Sequence, residues 1–486
     1  MKVVAARGGG VSRLTQTRKD FYLSWQIVSG IRANLSDRFL IMTTLNTINR
    51  RSFLTAAGAA FAAPSFLPGL RAQSLNGKVR HVSFGAGGMA RADLNTISGH
   101  KAVEVFAVVD VDKRSWPEIK SAFPKAKLFQ DWRELMAAEA GNFDSANVST
   151  PDHMHGPIGA ALAAAGKHVY GQKPLTHNLR ECRHLATLVR KQGVMSQMGI
   201  QVSSDFNERY CQALIKAGAI GKVKEVYSFS FKDWGDMSPV PQSKDAVPEG
   251  LSWDLWLGPA AERDFINGYY HPGNWRKRRD FGTGTLGDMG CHMFSGWYRA
   301  LDLTAPLSVK STGPAPNRDN WAINGKVEYI FPGTAYTEGK EVKVTWFDGP
   351  KSRPPAELEK EFGGVSIPGE GSIFTGTDGI MLFPHGGRPL CYQNGQAKEV
   401  KFPKLEPRNH WHEFVDCILT GKNKPSANFD YAGPLTEAVL LGCLASVFPG
   451  EELKWDAAAL KFTGHDAATA LVGRSYRKGW EIPNLA

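Results

Sequence analysis

The run Val79-Arg-His-Val-Ser-Phe84, followed at once by Gly85-Ala86-Gly87-Gly88-Met89-Ala90, decides how the chain is read. An apolar, β-prone segment ends in a glycine turn, and the residues beyond it predict a helix through about Ser98. Val103-Glu-Val-Phe-Ala-Val-Val109, closing on Asp110, repeats the strand. The alternation continues with a helix from Trp116 to Ala122, a short strand Ala126 to Phe129, a helix from Asp131 to Ala140 and the strand Ser145 to Val148. A helix from Pro157 to Ala165, the strand His168 to Tyr170 and a helix from Leu179 to Lys191 complete the series. Strands separated by helices of roughly ten residues require right-handed βαβ crossovers, so residues 78–200 predict a doubly wound parallel sheet.

After about residue 222 the pattern changes. In Lys222 to Phe231 the positions Val223, Tyr227, Phe229 and Phe231 are apolar and most of those between are polar, the pattern of a half-buried antiparallel strand. Lys326 to Phe331 and Val342 to Trp346 read the same way. Residues 201–486 therefore predict an α+β domain with a mainly antiparallel, mixed sheet. The closing helical stretches, Trp411 to Leu419 and Pro434 to Val447, are expected to pack against that sheet.

The 486 residues are 42% hydrophobic and 22% charged, which excludes a disordered or multi-spanning protein. The formal net charge of +11 is concentrated at the start: residues 1–72 hold ten Lys/Arg against two acids, leaving 48 basic against 45 acidic side chains elsewhere. A nearly neutral body gives no electrostatic reason to expect a nucleic-acid partner. The six cysteines form no Cys-x-x-Cys pair and no zinc-type spacing, so no metal site is expected and they read as buried apolar residues.

Asn49-Arg-Arg-Ser-Phe-Leu54 precedes an Ala/Gly-rich stretch to Leu70 that is too short and interrupted to span a membrane. Paired arginines, a weakly hydrophobic segment and small residues near Ala72 resemble a twin-arginine export signal over 42–72. Such signals begin near the initiator, so translation is expected to start at Met42, with residues 1–41 a gene-model extension. The twin-arginine machinery is the implied partner and the periplasm, or another exported location, the implied destination.

Gly85-x-Gly87-x-x-Ala90 between a strand and a helix has the context of the dinucleotide fingerprint of a Rossmann fold, with Gly88 and Met89 in the same turn. Asp110 stands 20 residues beyond Ala90, where a carboxylate can accept hydrogen bonds from the adenosine ribose and would repel a 2′-phosphate. NAD is therefore expected over NADP. Ser149-Thr150-Pro151-Asp-His-Met-His155 and Gly166-Lys-His-Val-Tyr-Gly-Gln172-Lys173-Pro174 both fall at the C-terminal ends of strands, beside the crevice where such sheets bind ligands.

With these segments the chain resembles the Gfo/Idh/MocA family of NAD(P)-dependent sugar oxidoreductases over roughly residues 78 to 460. The resemblance adds Ser149, Thr150, Pro151, His155, Gln172, Lys173 and Gln201 to the cofactor set, and implies that Lys173 approaches nicotinamide and substrate hydroxyl, often before a cis proline. It also implies association of copies through the second sheet. One departure is visible: the family's Glu-Lys-Pro is Gln172-Lys173-Pro174, and losing that carboxylate is expected to lower the lysine's pKa relative to relatives.

Asp288 and His292 in Thr285-Leu-Gly-Asp-Met-Gly-Cys-His292 are i and i+4, on one face of a helix. Oxidising a secondary alcohol needs a base for the hydroxyl proton; His292 suits it, Asp288 could orient the ring, and Lys173 could stabilise the alkoxide. The family's Lys, Asp and His match these three positions. His271, Trp275 and Arg276 are the expected substrate contacts, Trp275-Arg276 as a stacking and hydroxyl-binding pair. Export leaves no dissolved NAD pool outside the cytoplasm, so the cofactor is expected to stay tightly bound. The readings are a sugar, polyol or glycoside dehydrogenase, a redox-neutral glycoside hydrolase working through a transient 3-keto sugar, and a non-catalytic sugar-binding protein.

Overall fold

β1 (Val79–Phe84) lies inside a wholly parallel sheet with β2 (Val103–Val109), β3 (Lys127–Phe129), β4 (Ser145–Val148), β5 (His168–Gly171) and β6 (Ser196–Met198). Their order is 3-2-1-4-5-6. The computed structural model describes residues 77–400 and 404–485, so the expected export signal and the extension before Met42 lie outside the described residues. The connections carry α1 (Gly88–Ser98), α2 (Trp116–Ala122), α3 (Trp132–Glu139), α4 (His155–Ala164) and α5 (Leu179–Gln192). Strand order reverses between β1 and β4, which opens a crevice at the strands' C-terminal ends. Gly85, Asp110, Ser149 and Gln172 follow β1, β2, β4 and β5 at that edge.

Local signals fix the helices on either side of the crevice. Asn178 caps α5 by accepting the Glu181 amide, and Gly193 at φ 63° ends it in the left-handed conformation. Each such cap contributes about 1 kcal/mol. Asp205 caps α6 (Phe206–Lys216) through the Asn207 amide.

The second sheet has ten strands: β7 (Val223–Ser230), β8 (Ser308–Ser311), β9 (Lys326–Pro332), β10 (Glu341–Asp348), β11 (Glu370–Gly376), β12 (Ile380–Pro384), β13 (Leu390–Gln393), β14 (Gln396–Ala397), β15 (Glu452–Asp456) and β16 (Lys461–Phe462). β7 pairs parallel with β10 and antiparallel with β11, and the remaining pairs are antiparallel, as the period-two pattern predicts. α7 (Gly284–Ala300) lies across this sheet, with Phe294 and Trp297 packed on Tyr329, Phe331 and Trp346. Of its 17 residues only His292 and Arg299 are not buried, so the helix presents almost nothing but His292 to the space in front of the sheet.

Two late helices differ from expectation. α8 (His410–Thr420) packs on the parallel sheet, with Phe414 and Val415 against Val79, Ile97 and Tyr170. Its apolar face is legible in sequence, but a helical stripe does not say which apolar surface it covers. α9 (Phe429–Ala445) begins five residues before Pro434, because Asn428 accepts the Asp430 amide and the helix accommodates the proline in its second turn. It joins both halves of the molecule: the Cys182 thiol of α5 meets the Gly433 carbonyl at 3.4 Å, and Val439 lies where a Cβ on Gly290 of α7 would sit at 3.0 Å. No helix among the described residues is long and apolar enough to cross a membrane.

Candidate active site

The glycine turn after β1 is shaped for a close neighbour. Gly85 adopts φ +105°, and a Cβ there would meet the Ala90 side chain at 2.8 Å and the Ser149 carbonyl at 2.9 Å, so only glycine lets α1 lie this near β4. Cβ atoms on Gly87 and Gly88 would instead point into open space. The N-terminus of α1 has no side-chain cap, so its first amides and positive dipole end are available to a pyrophosphate. Asp110 accepts the Ala86 amide at 2.7 Å on Oδ2 and the Asp112 amide at 2.8 Å on Oδ1. Burial pushes its carboxyl up to about 6 against the pull of those amides. Each oxygen keeps a lone pair for a ribose hydroxyl. The Thr150 hydroxyl and the Gln201 Nε2 are buried polar atoms without partners, and Met89 is 40% exposed beside the turn. These residues fit a dinucleotide.

Behind the turn sits a residue that the motif reading passes over. Asp93 of α1 is fully buried and accepts Gln172 Nε2 at 2.8 Å and the Ser149 hydroxyl at 2.7 Å on Oδ2, and Trp411 Nε1 at 2.8 Å on Oδ1. Burial raises its pKa, and the three donors oppose the rise. One carboxylate thus ties α1, the segment after β4, the segment after β5 and α8. It also accounts for the departure at position 172: a glutamate there would set a second carboxylate against Asp93, whereas the amide donates to it. The signal was present in the sequence, since Asp93 interrupts the apolar stripe Ala90, Leu94, Ile97 of α1.

His155, expected among the cofactor contacts, places Nε2 2.7 Å from the Thr150 carbonyl and Nδ1 2.7 Å from the Pro174 carbonyl. Burial lowers its pKa, so the ring carries one N–H and donates to one of these two carbonyls, between two crevice segments. Gln172 is likewise turned inward, receiving the Lys173 amide on Oε1 at 3.2 Å.

Lys173, followed by a cis peptide bond to Pro174, reaches across to α7. Its Nζ donates to the Asp288 carbonyl at 2.6 Å and to Asp288 Oδ1 at 2.7 Å, and Arg276 Nε donates to the same Oδ1 at 3.1 Å. Burial alone would raise the Asp288 pKa, but Lys173 and Arg276 hold it well below the usual carboxylate range. His292 stands one turn further along α7. Burial, with the charge of Lys173 and the nearby His385, lowers its pKa well below 6.5, and its Nδ1 is buried without a partner. His385 lies 5.7 Å away between ring centroids. Asp288 is engaged by two cations and makes no hydrogen bond with His292, so the orienting role expected for it is not the one it plays: it fixes the amine. Asp152, 3% exposed, accepts the Thr283 hydroxyl at 2.7 Å close to this pair, and burial pushes its carboxyl up to about 7. The same Thr283 explains Gly287, where a Cβ would collide with it.

Of the three expected substrate contacts, the structure brings only Arg276 to the Lys173–Asp288 pair. Trp275 is 7% exposed and belongs to an apolar cluster with Trp256, Tyr270 and Phe281; its face carries the Arg276 guanidinium at 4.3 Å. Aromatic content reports burial as readily as an open platform. His271 Nε2 lies 3.3 Å from Asp112 Oδ2, beside the end of β2. Trp234, half-buried with an unpartnered Nε1 and its ring 5.4 Å from the Arg276 guanidinium, is the aromatic side chain beside the site.

Comparisons with known proteins agree with this arrangement. Residues 79–200 match the oxidoreductase family model described as an NAD-binding Rossmann fold, and residues 215–362 match that family's C-terminal alpha/beta domain. The chain is 23% identical over 184 residues to a levoglucosan dehydrogenase of Pseudarthrobacter phenanthrenivorans, covering 37% of this chain and 39% of that protein. It is 29% identical over 153 residues to a myo-inositol 2-dehydrogenase of Thermotoga maritima, covering 32% of this chain and 44% of that protein. The matched stretches thus span less than half the length of either relative. The fold is that of the aldose-aldose oxidoreductase of Caulobacter crescentus, solved with glycerol, at a TM-score of 0.55 and 16% identity over 78% of this chain and 100% of that one. The glycine turn, the crevice and the lysine that reaches from it onto α7 all lie within the two matched regions, and the chain belongs to the Gfo/Idh/MocA oxidoreductase family.

Proposed function

We propose that this protein is an exported oxidoreductase that moves hydride between a secondary alcohol of a sugar, polyol or glycoside and a tightly held NAD. The observation that carries the reading is the convergence of Lys173 Nζ, Asp288 and His292 at the mouth of the dinucleotide crevice. The dinucleotide supplies, when bound, the nicotinamide carbon that takes up and returns the hydride. Lys173 spends two of its N–H bonds on Asp288, which leaves the third for the substrate oxygen as negative charge develops on it. His292 is uncharged near neutrality, so its ring can receive the hydroxyl proton. Asp288 stays ionised between two cations and holds the amine in place. General acid–base assistance of this kind contributes about 10² to 10⁴ in rate.

The relatives' names, levoglucosan dehydrogenase and myo-inositol 2-dehydrogenase, support a cyclic polyhydroxylated substrate. The Asp110 carboxylate favours NAD over NADP, because a 2′-phosphate would meet a buried negative group. The Asn49-Arg-Arg-Ser-Phe-Leu54 segment supports export and, with it, a retained cofactor. The test is to purify the mature protein and add a panel of sugars, polyols and glycosides while following the near-ultraviolet band of reduced nicotinamide and the release of free sugar. A lasting change in that band with one of the compounds supports the proposal. Sugar release without net change would replace it by the redox-neutral glycosidase, and saturable binding with neither would replace it by a sugar-binding role.

A further inference from the structure

Residues 250–283 form a small unit with a core of its own, in which Leu251, Trp256, Leu257, Tyr270 and Phe281 bury one another. The aromatic side chains that crowd this stretch of sequence therefore serve packing. The unit is tied to the parallel-sheet domain at two separate places. One is the loop after β2, immediately beyond Asp110. There the Ser252 amide donates to the Val111 carbonyl at 2.9 Å and the Lys113 amide to the Gly250 carbonyl at 3.0 Å, and Asp112 faces Leu251 in an antiparallel bridge. Gln130, the residue after β3, donates from Nε2 to the Val111 carbonyl at 2.9 Å and to the Gly250 carbonyl at 3.0 Å. His271 Nε2 stands 3.3 Å from Asp112 Oδ2, and the Val111 side chain packs on the unit's core.

The other is the loop after β4. The His153 amide donates to the Phe281 carbonyl at 3.2 Å, His153 Nε2 meets the Trp256 carbonyl at 3.0 Å, and the Thr283 hydroxyl donates to Asp152 Oδ2 at 2.7 Å. β2 and β4 are the two neighbours of β1 in the sheet. Asp110, the glycine turn and Ser149, which the domain offers to a dinucleotide, lie along the edge between these two anchorages. The unit thus reaches across that edge from one bank of the crevice to the other. Its two attachments are unequal. Asp152 and His153 are buried, whereas Gln130 and His271 are half-buried. Partly exposed hydrogen bonds open more readily than buried ones, so the β2 side is the one that can come undone.

We propose that residues 250–283 are a strap across the adenosine end of the crevice, and that Gln130 and His271 latch it, setting the rate at which the dinucleotide enters and leaves. The proposal rests on the reading of the crevice as a dinucleotide site and gives the retained cofactor a physical cause. Gln130 and His271 act through the strap and are positioning residues. Loosening the latch raises the fraction of open molecules, which speeds entry and exit by the same factor and leaves the affinity where it was.

Exchange of radiolabelled NAD on the full purified protein, followed by rapid filtration, tests it. In the variant carrying Gln130→Ala and His271→Ala, entry and exit are both expected to quicken by about tenfold or more, with Kd changed by less than about threefold. Faster exit with unchanged entry would make these two side chains plain contacts of the dinucleotide and overturn the latch; unchanged rates in both directions would overturn the strap. If the double variant does not fold, Gln130→Ala and His271→Ala singly serve, each expected to quicken both rates by about threefold. Hydrogen exchange separates opening from unfolding. The Lys113 and Ser252 amides are expected to exchange faster in the variants while those of β1 and β4 do not, and equal acceleration throughout would overturn the strap. A wild-type protein that takes up no dinucleotide overturns the redox reading, and the strap falls with it.

Discussion

Gln172 Nε2 donates to Asp93 Oδ2 across 2.8 Å, between side chains that are 5% and 0% exposed. The carboxyl group that the family motif places at position 172 has its counterpart across this hydrogen bond, on Asp93 of α1.

Gln172→Glu is therefore expected to destabilise the fold by about 2 to 4 kcal/mol at pH 8, where two buried carboxylates would face each other. The sign of the pH dependence follows. The pair's folded-state pKa is raised, so the loss is small near pH 4 and grows as pH rises through it. Urea denaturation at several pH values measures it, and Asp93→Asn in the same chain is expected to restore most of the stability by returning an amide–carboxylate pair.

Lys173→Ala removes the amine on Asp288 and leaves, among the described residues, Arg276 as its cation. Turnover is expected to fall by about 10² to 10⁴, with the dinucleotide still bound, because the glycine turn and Asp110 are untouched. His292→Ala is expected to lower kcat over the same range with little change in KM. Steady-state kinetics and the absorbance of retained cofactor separate these outcomes from unfolding.

Asp110→Ala removes the acceptor of the Ala86 amide and the carboxylate that faces the ribose. NAD affinity is expected to drop by about tenfold or more and the preference over NADP to shrink. Titration of stripped protein with each dinucleotide reads both effects.

His81 is fully buried in β1 between Ser145 Oγ at 2.8 Å and Asn147 Oδ1 at 3.0 Å, and burial lowers its pKa to about 4. The unfolded chain takes up a proton below pH 6.5 that the folded chain does not, so stability is lost as pH falls from 6.5 toward 4, by up to about 3 kcal/mol from this group. In His81→Gln that portion of the acid loss is expected to vanish, which thermal melts between pH 4 and 7 would show.

β1 to β5 were legible because glycine or polar turns bound short β-prone runs and helices alternate with them, whereas β6, Ser196-Gln-Met198, has no apolar run to announce it. Lys173 and Asp288 were singled out through motif and spacing, whereas Arg276, expected to bind substrate hydroxyls, is found on the Asp288 carboxylate. What sequence could not supply was direction across the chain. His271 and Trp275 are near Arg276 in sequence, yet one turns to Asp112 and the other into an apolar cluster. The partner of α8 was hidden because its apolar face fits either sheet, and with it went the Trp411–Asp93 bond that brings two segments 318 residues apart into one network. Asp93 itself was readable as an acid on a buried stripe, a pattern that asks for a donor.

The most direct measurement is mass spectrometry of the dinucleotide recovered after the purified protein has been incubated with a sugar or polyol deuterated at its carbinol carbons. Deuterium on the nicotinamide ring with wild-type protein, acquired about 10² to 10⁴ times more slowly by Lys173→Ala or His292→Ala, is the predicted result. Recovery of a dinucleotide that never carries deuterium from any compound of the panel, or the lack of any dinucleotide that binds, would contradict the account.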